Sequence, residues 1–154
     1  MTPSEILAEE MEAIKIDLIA KHRELGMPAS GKWIESVEAN TNRLSGVILA
    51  EHYTEQLVNG RAPGRFPPID RIEQWIKDKG IQPIDANLKI SSLAFLIARK
   101  IAREGTRYFQ EGGTDLVEAV ITPARIQRII NRVTEFQINS FTSDITGMFQ
   151  KLAA

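Results

Sequence analysis

Apolar residues recur at spacings of three, four and seven near both ends of the chain, the repeat of a helix with one covered face. At the amino end Leu7, Met11, Ile14, Leu18 and Leu25 form such a stripe, and Glu9, Glu10, Glu12 and Asp17 take much of the remaining surface. Pro3 and Ser4 supply start signals, Glu5 falls in the first turn and Gly26 stands just past the end, which predicts a first helix over this stretch. At the carboxyl end Ile126, Ile130, Val133, Gln137, Phe141, Ile145, Met148 and Leu152 keep a three/four spacing. Thr122-Pro123 opens that segment as a cap followed by proline at the first helical position. Unbroken, such a helix is roughly 45 Å long, whereas a compact globule of this chain length is roughly 40 Å across. The pattern therefore predicts one of two things: a break at Thr142-Ser143-Asp144 or Gly147, or an end that projects and packs on another chain.

Between the two helices the period changes. Gly26-Met27-Pro28-Ala29-Ser30-Gly31 is a loop by its breakers. Residues 32–41 and 44–58 predict two antiparallel strands, with Asn40-Thr41-Asn42 as the turn, although Glu51 to Leu57 also fits a helical turn. Residues 59–68 hold three prolines and two glycines, too many for a regular interior. Asp70 to Lys79 predicts a short helix with Ile72, Trp75 and Ile76 inward and Gly80 as its cap. After a connector over Ile81 to Lys89, Ser91 or Ser92 caps a helix reaching about Glu104, with Leu93, Leu96, Ile97 and Ile101 on one face. Ala94, Ala98 and Ala102 make a narrow second stripe that allows close approach of another element. Residues 106–113 read as a loop and Asp115–Ile121 as a short element.

The chain has 154 residues and a formal net charge of -1, so overall charge argues for neither a nucleic-acid nor a membrane partner. Charge is nevertheless uneven: residues 1–24 carry six acids against three bases, and residues 61–107 carry ten bases against five acids. Complementary contacts between subunits and salt bridging inside one fold account for this equally well. Cysteine is absent, which excludes disulfides and thiolate chemistry. No stretch has the ~20 apolar residues of a membrane span. The amino terminus lacks the basic and apolar regions of a signal peptide, so synthesis in the cytoplasm is expected.

Catalytic signals are few. His22 and His52 are the only histidines, neither has a second histidine at ligand spacing, and both read as solvated or hydrogen-bonded. Acids at Glu9, Glu10 and Glu12 are explained by the dipole at a helix start. No nucleophile elbow and no phosphate loop occurs. Neither catalysis nor a cofactor nor a metal is expected. Arg99, Lys100, Arg103 and Arg107, and then Arg125, Arg128 and Arg132, cluster along two helices and could hold phosphates, which makes non-specific DNA contact the rival reading.

One run of motifs is more particular. It begins with Tyr53 and Gly60-Arg61-x-Pro63-Gly64-x-x-Pro67-Pro68 and continues through Ile72-x-x-Trp75-Ile76-x-x-Lys79-Gly80. Ala94-Phe95-x-Ile97-Ala98-x-x-Ile101 and Gly105-Thr106 follow in order. Together with Ser30-Gly31 and Ser36, this run resembles the tail-completion or head–tail joining (neck) proteins of tailed bacteriophages, over roughly residues 28–110. The resemblance implies an α+β fold with a small antiparallel sheet packed by several helices. It also implies a place in the virion as one copy in a homo-oligomeric ring beside other neck or tail proteins, with no catalytic residue to carry over. The expectation is thus a single α+β domain over 1–154, with 123–154 as a projecting helical arm. Its assembly surface is expected at Arg61, Pro63, Gly64, Arg65, Phe66, Pro67 and Pro68, with Arg107, and at Ile145, Met148, Phe149 and Leu152 of the arm.

Overall fold

The computed structural model describes residues 1–153. It is mostly helical, with one two-stranded antiparallel sheet packed against helices and a long helix at the carboxyl end. Helix α1 spans Pro3–Glu24. A reciprocal box fixes its start: Glu5 N–H donates to Thr2 Oγ1 at 3.2 Å, and Thr2 N–H donates to Glu5 Oε2 at 2.6 Å. Lys21, His22 and Arg23 in the last turn suit the negative end of its dipole.

The region read as two long strands is divided more finely. Lys32–Ser36 is a short helix, α2, and only Glu38–Thr41 (β1) and Gly46–Leu49 (β2) are extended. They pair with Thr41 opposite Gly46 and Glu38 opposite Leu49. The turn starts two residues later than expected, over residues 42–45. Asn42 makes it, its Oδ1 accepting the Leu44 and Ser45 N–H groups at 3.1 and 2.9 Å. Helix α3, Thr54–Asn59, follows, which resolves the open choice at Glu51–Leu57 toward helix.

Helices α4 (Ile69–Lys79) and α5 (Ile90–Glu104) form a hairpin. Ile76 of α4 and Ala94 and Ala98 of α5 are wholly buried, so the alanine stripe does serve close helix approach. Trp75 was expected inward but is 42% exposed, because the inward point of α4 is taken by Ile76 one residue on. Leu96 likewise faces outward. The cap of α5 is Lys89, without a side-chain hydrogen bond, and Ser91 and Ser92 lie inside the first turn. A four-residue helix, α6 (Arg107–Gln110), interrupts the expected loop after it. Successive turns over residues 115–121 then bury Leu116 and Val120.

Helix α7 runs unbroken over Pro123–Ala153, straight through Thr142-Ser143-Asp144 and Gly147. The main core gathers Ile14 and Leu18 of α1, Met27, Trp33, Val37, Leu116, Val120 and, from α7, Ile129.

Candidate assembly interface

Sequence dictates a stiff loop at residues 60–68, and the structure shows what anchors it. Arg61 N–H donates to Thr106 Oγ1 at 2.9 Å, Thr106 N–H donates to the Arg61 carbonyl at 2.9 Å, and Gly64 N–H donates to the Ala102 carbonyl at 2.9 Å. Gly60 and Gly105 both hold positive φ, 75° and 79°. A Cβ on Gly60 would strike the Phe109 backbone, and one on Gly105 would strike the Arg61 carbonyl, so only glycine allows this approach. Pro67 is buried and pins the loop rather than offering a contact, which corrects its place in the expected surface. Pro63, Gly64, Arg65, Phe66 and Pro68 are exposed and Arg61 is half-buried. Arg107 also faces solvent, its Nε donating to Glu111 Oε1 at 2.8 Å.

Phe66 reaches from this loop to Phe95 of α5, with ring centroids 5.6 Å apart and planes inclined by 43°. Beside this pair lies an open depression of about 460 Å³ lined by Ile69, Ser91, Ser92, Phe95 and Leu96. Phe95 and Leu96 were not read as surface. Their only sequence signal is that the alanines at 94 and 98 claim the inward side of α5. Further along the same helix stand Arg99, Lys100 and Arg103, all exposed, with no carboxylate within salt-bridge range among the described residues.

The second cluster of arginines behaves oppositely. Arg125 donates to Asp17 at 2.7 Å, Arg128 lies 3.8 Å from Glu10, and Arg132 pairs with both Glu10 and Glu9. The acidic first helix is therefore matched within its own chain, and facing a neighbour is not its main engagement. Glu10 is nearly buried, which an unpaired carboxylate would not tolerate. The order of these pairs sets α7 antiparallel to α1. Beyond Arg132 only Pro3–Ala8 of α1 remain beside α7, so roughly fifteen residues, about 22 Å of helix, outrun it.

Pairing with α1 also decides which face of α7 is covered. Arg125, Ile129, Arg132, Val133 and Phe136 turn inward, and most of the apolar stripe singled out in the sequence does not. Ile126, Ile130, Ile138, Phe141, Met148, Phe149 and Leu152 are all exposed, Phe141 and Phe149 at 67% and Leu152 at 79%. Ile145 is half-buried. The structure thus divides the expected assembly residues between two patches, the 61–68 loop beside α5 and the far end of α7.

His22 departs from its reading as a solvated or hydrogen-bonded group. It is 3% exposed, its ring stacks on Trp33 with centroids 4.2 Å apart, and its Nδ1 has no hydrogen-bond partner. Burial, with Lys79 and Arg23 nearby, lowers its pKa to about 4, so the ring is neutral near pH 7. His52 lies in solvent beside Glu51. Among the described residues no group of three or more metal-ligating side chains converges, and no helix is long and apolar enough to cross a membrane. No protein-family model matches the chain, and no curated protein or solved structure matches it either.

Proposed function

We propose that this chain is a structural component of a tailed-bacteriophage particle, one copy of an oligomeric ring in the neck or tail that completes the tail or joins it to the head. The observation that carries the reading is α7, a 31-residue helix whose apolar seam is left to water. Each large apolar side chain so exposed forgoes roughly 1.5–3 kcal/mol of burial. A partner surface recovers that energy and accounts for the arrangement. The second patch supports the same reading. The 60–68 loop is fixed in advance by prolines and backbone hydrogen bonds, so docking it orders little. Two different patches on one subunit are what a head-to-tail ring requires. The phage setting rests on the motif run from Tyr53 to Thr106 and its resemblance to tail-completion and neck proteins. In this role the chain acts by shape and charge complementarity, not by a reaction.

An image of the intact particle tests the proposal. A ring of this chain between capsid and tail, or within the tail, is the expected result. Absence of the chain from purified particles contradicts it. A second reading, contact with a genome passing through such a ring, is favoured by Arg99, Lys100 and Arg103 alone, since the α7 arginines are engaged by carboxylates. It predicts retention of duplex DNA that weakens steeply with salt.

A further inference from the structure

We propose that the far half of α7 docks antiparallel onto the α4–α5 depression of a second copy of this chain, with Asp144 entering the basic end of α5. The inference rests on the assembly reading above and names its contact. Met148 and Leu152 form an exposed apolar ridge, and Asp144 lies one helical turn before Met148. On α5 the order is complementary. Phe95 and Leu96 are exposed beside the depression, and Arg99, Lys100 and Arg103 lie one to two turns beyond them. Laying the helices antiparallel sets Leu96 against Met148 and brings Asp144 between Arg99 and Arg103.

Charge selects this occupant over a second α7. Two parallel α7 helices packed in register along this ridge would put Asp144 beside Asp144, a repulsive match. On α5 the same carboxylate meets guanidinium groups that have no acidic partner among the described residues of their own chain. Length agrees as well, since the roughly 22 Å that outruns α1 equals the length of the fifteen-residue α5. Because the ridge and the depression are different surfaces, the contact is heterologous and propagates from copy to copy.

Two kinds of variant test this in the full chain, with circular dichroism confirming the fold. Asp144→Lys alone, and Arg99→Glu with Arg103→Glu, are each expected to weaken self-association at least tenfold in sedimentation. Mixing the two variants is expected to restore it, because each arm then meets opposite charge. The chain has no cysteine of its own, so Leu96→Cys with Met148→Cys should form a ladder of cross-linked copies on oxidation. Met148→Cys alone should form none. A wild-type chain that stays monomeric at high concentration sinks the assembly reading and this contact together. Normal association of the charge variants, or a cross-linked dimer from Met148→Cys alone, overturns the contact while leaving the assembly reading standing.

Discussion

Helices α1 and α7 are the two longest elements and lie side by side, yet they use their apolar residues in opposite ways. Helix α1 buries a stripe at four-residue steps, Ile6, Glu10, Ile14, Leu18 and His22. Helix α7 is nine residues longer and buries only Ile129. Its arginines, with Ile129, Val133 and Phe136, turn inward, and most of its apolar seam does not. The difference shows what holds each helix. Helix α1 is held by the core along its length, whereas α7 enters the core at Ile129, is fastened by ion pairs to Glu9, Glu10 and Asp17, and keeps most of its apolar seam free. Partly exposed ion pairs contribute little stability each, generally under about 1 kcal/mol. Their effect here is orientation, since they select which side of α7 turns outward.

The largest effect that sharpens this contrast is in cavity formation. Leu18→Ala, in the core, is expected to lower unfolding free energy by roughly 2–5 kcal/mol. Phe141→Ala, on the exposed seam, should shift it by less than about 0.5 kcal/mol. Urea melts of both variants at low protein concentration make the comparison. Equal losses would mean that the seam is covered within the chain.

Acid gives the next largest effect, through His22 of α1. His22 has a lowered folded pKa, about 4 against the ordinary 6.5, so its neutral form stabilises the fold fully above pH 6.5. That stability is lost progressively as pH falls from 6.5 to about 4, on the order of 3 kcal/mol in all. Below pH 4 His22 adds no further slope. A His22→Phe variant should flatten this part of the stability–pH curve. An unchanged slope in that variant would place the titration elsewhere.

The smallest expected effect lies at the joint between the two helices. Glu10→Gln keeps the volume but removes the charge shared by Arg128 and Arg132, both partly solvated. A loss of about 1–2 kcal/mol is expected, less than for a deeply buried pair. Arg128→Met with Arg132→Met would leave the Glu10 carboxylate uncompensated and should be worse than Glu10→Gln. If the order is reversed, ion pairing does not set the face of α7.

Much of this architecture was legible from spacing and punctuation. The ends of α1 and α4, the start of α7 at Thr122-Pro123, and the close approach at Ala94 and Ala98 all follow from caps, breakers and small-residue stripes. The misreadings share a physical cause, which is that local pattern cannot report a tertiary partner. Lys32–Ser36, expected to open a strand, is helical where Trp33 enters the core and its indole N–H donates to Thr54 Oγ1 at 2.9 Å. Glu10 and His22 read as surface because they are polar, although each sits four residues from a buried apolar neighbour. On α7 the seam was legible and a projecting end was one of its two readings, but which face turns to α1 was not, because that depends on three arginines finding carboxylates more than a hundred residues away. The loop anchors were partly legible: Gly60, Pro63, Gly105 and Thr106 were singled out, but their mutual contact was not.

The claim that the far end of α7 is an assembly arm is tested most directly by ending the chain at Thr142 and measuring fold and association on one preparation. Sedimentation of the shortened chain should show association lost or at least tenfold weaker. Its thermal melting should stay within a few degrees of the full chain, since the core contributed by α7 lies at Ile129. A shortened chain that melts far earlier yet associates normally would show the segment to be internal core and would contradict the account.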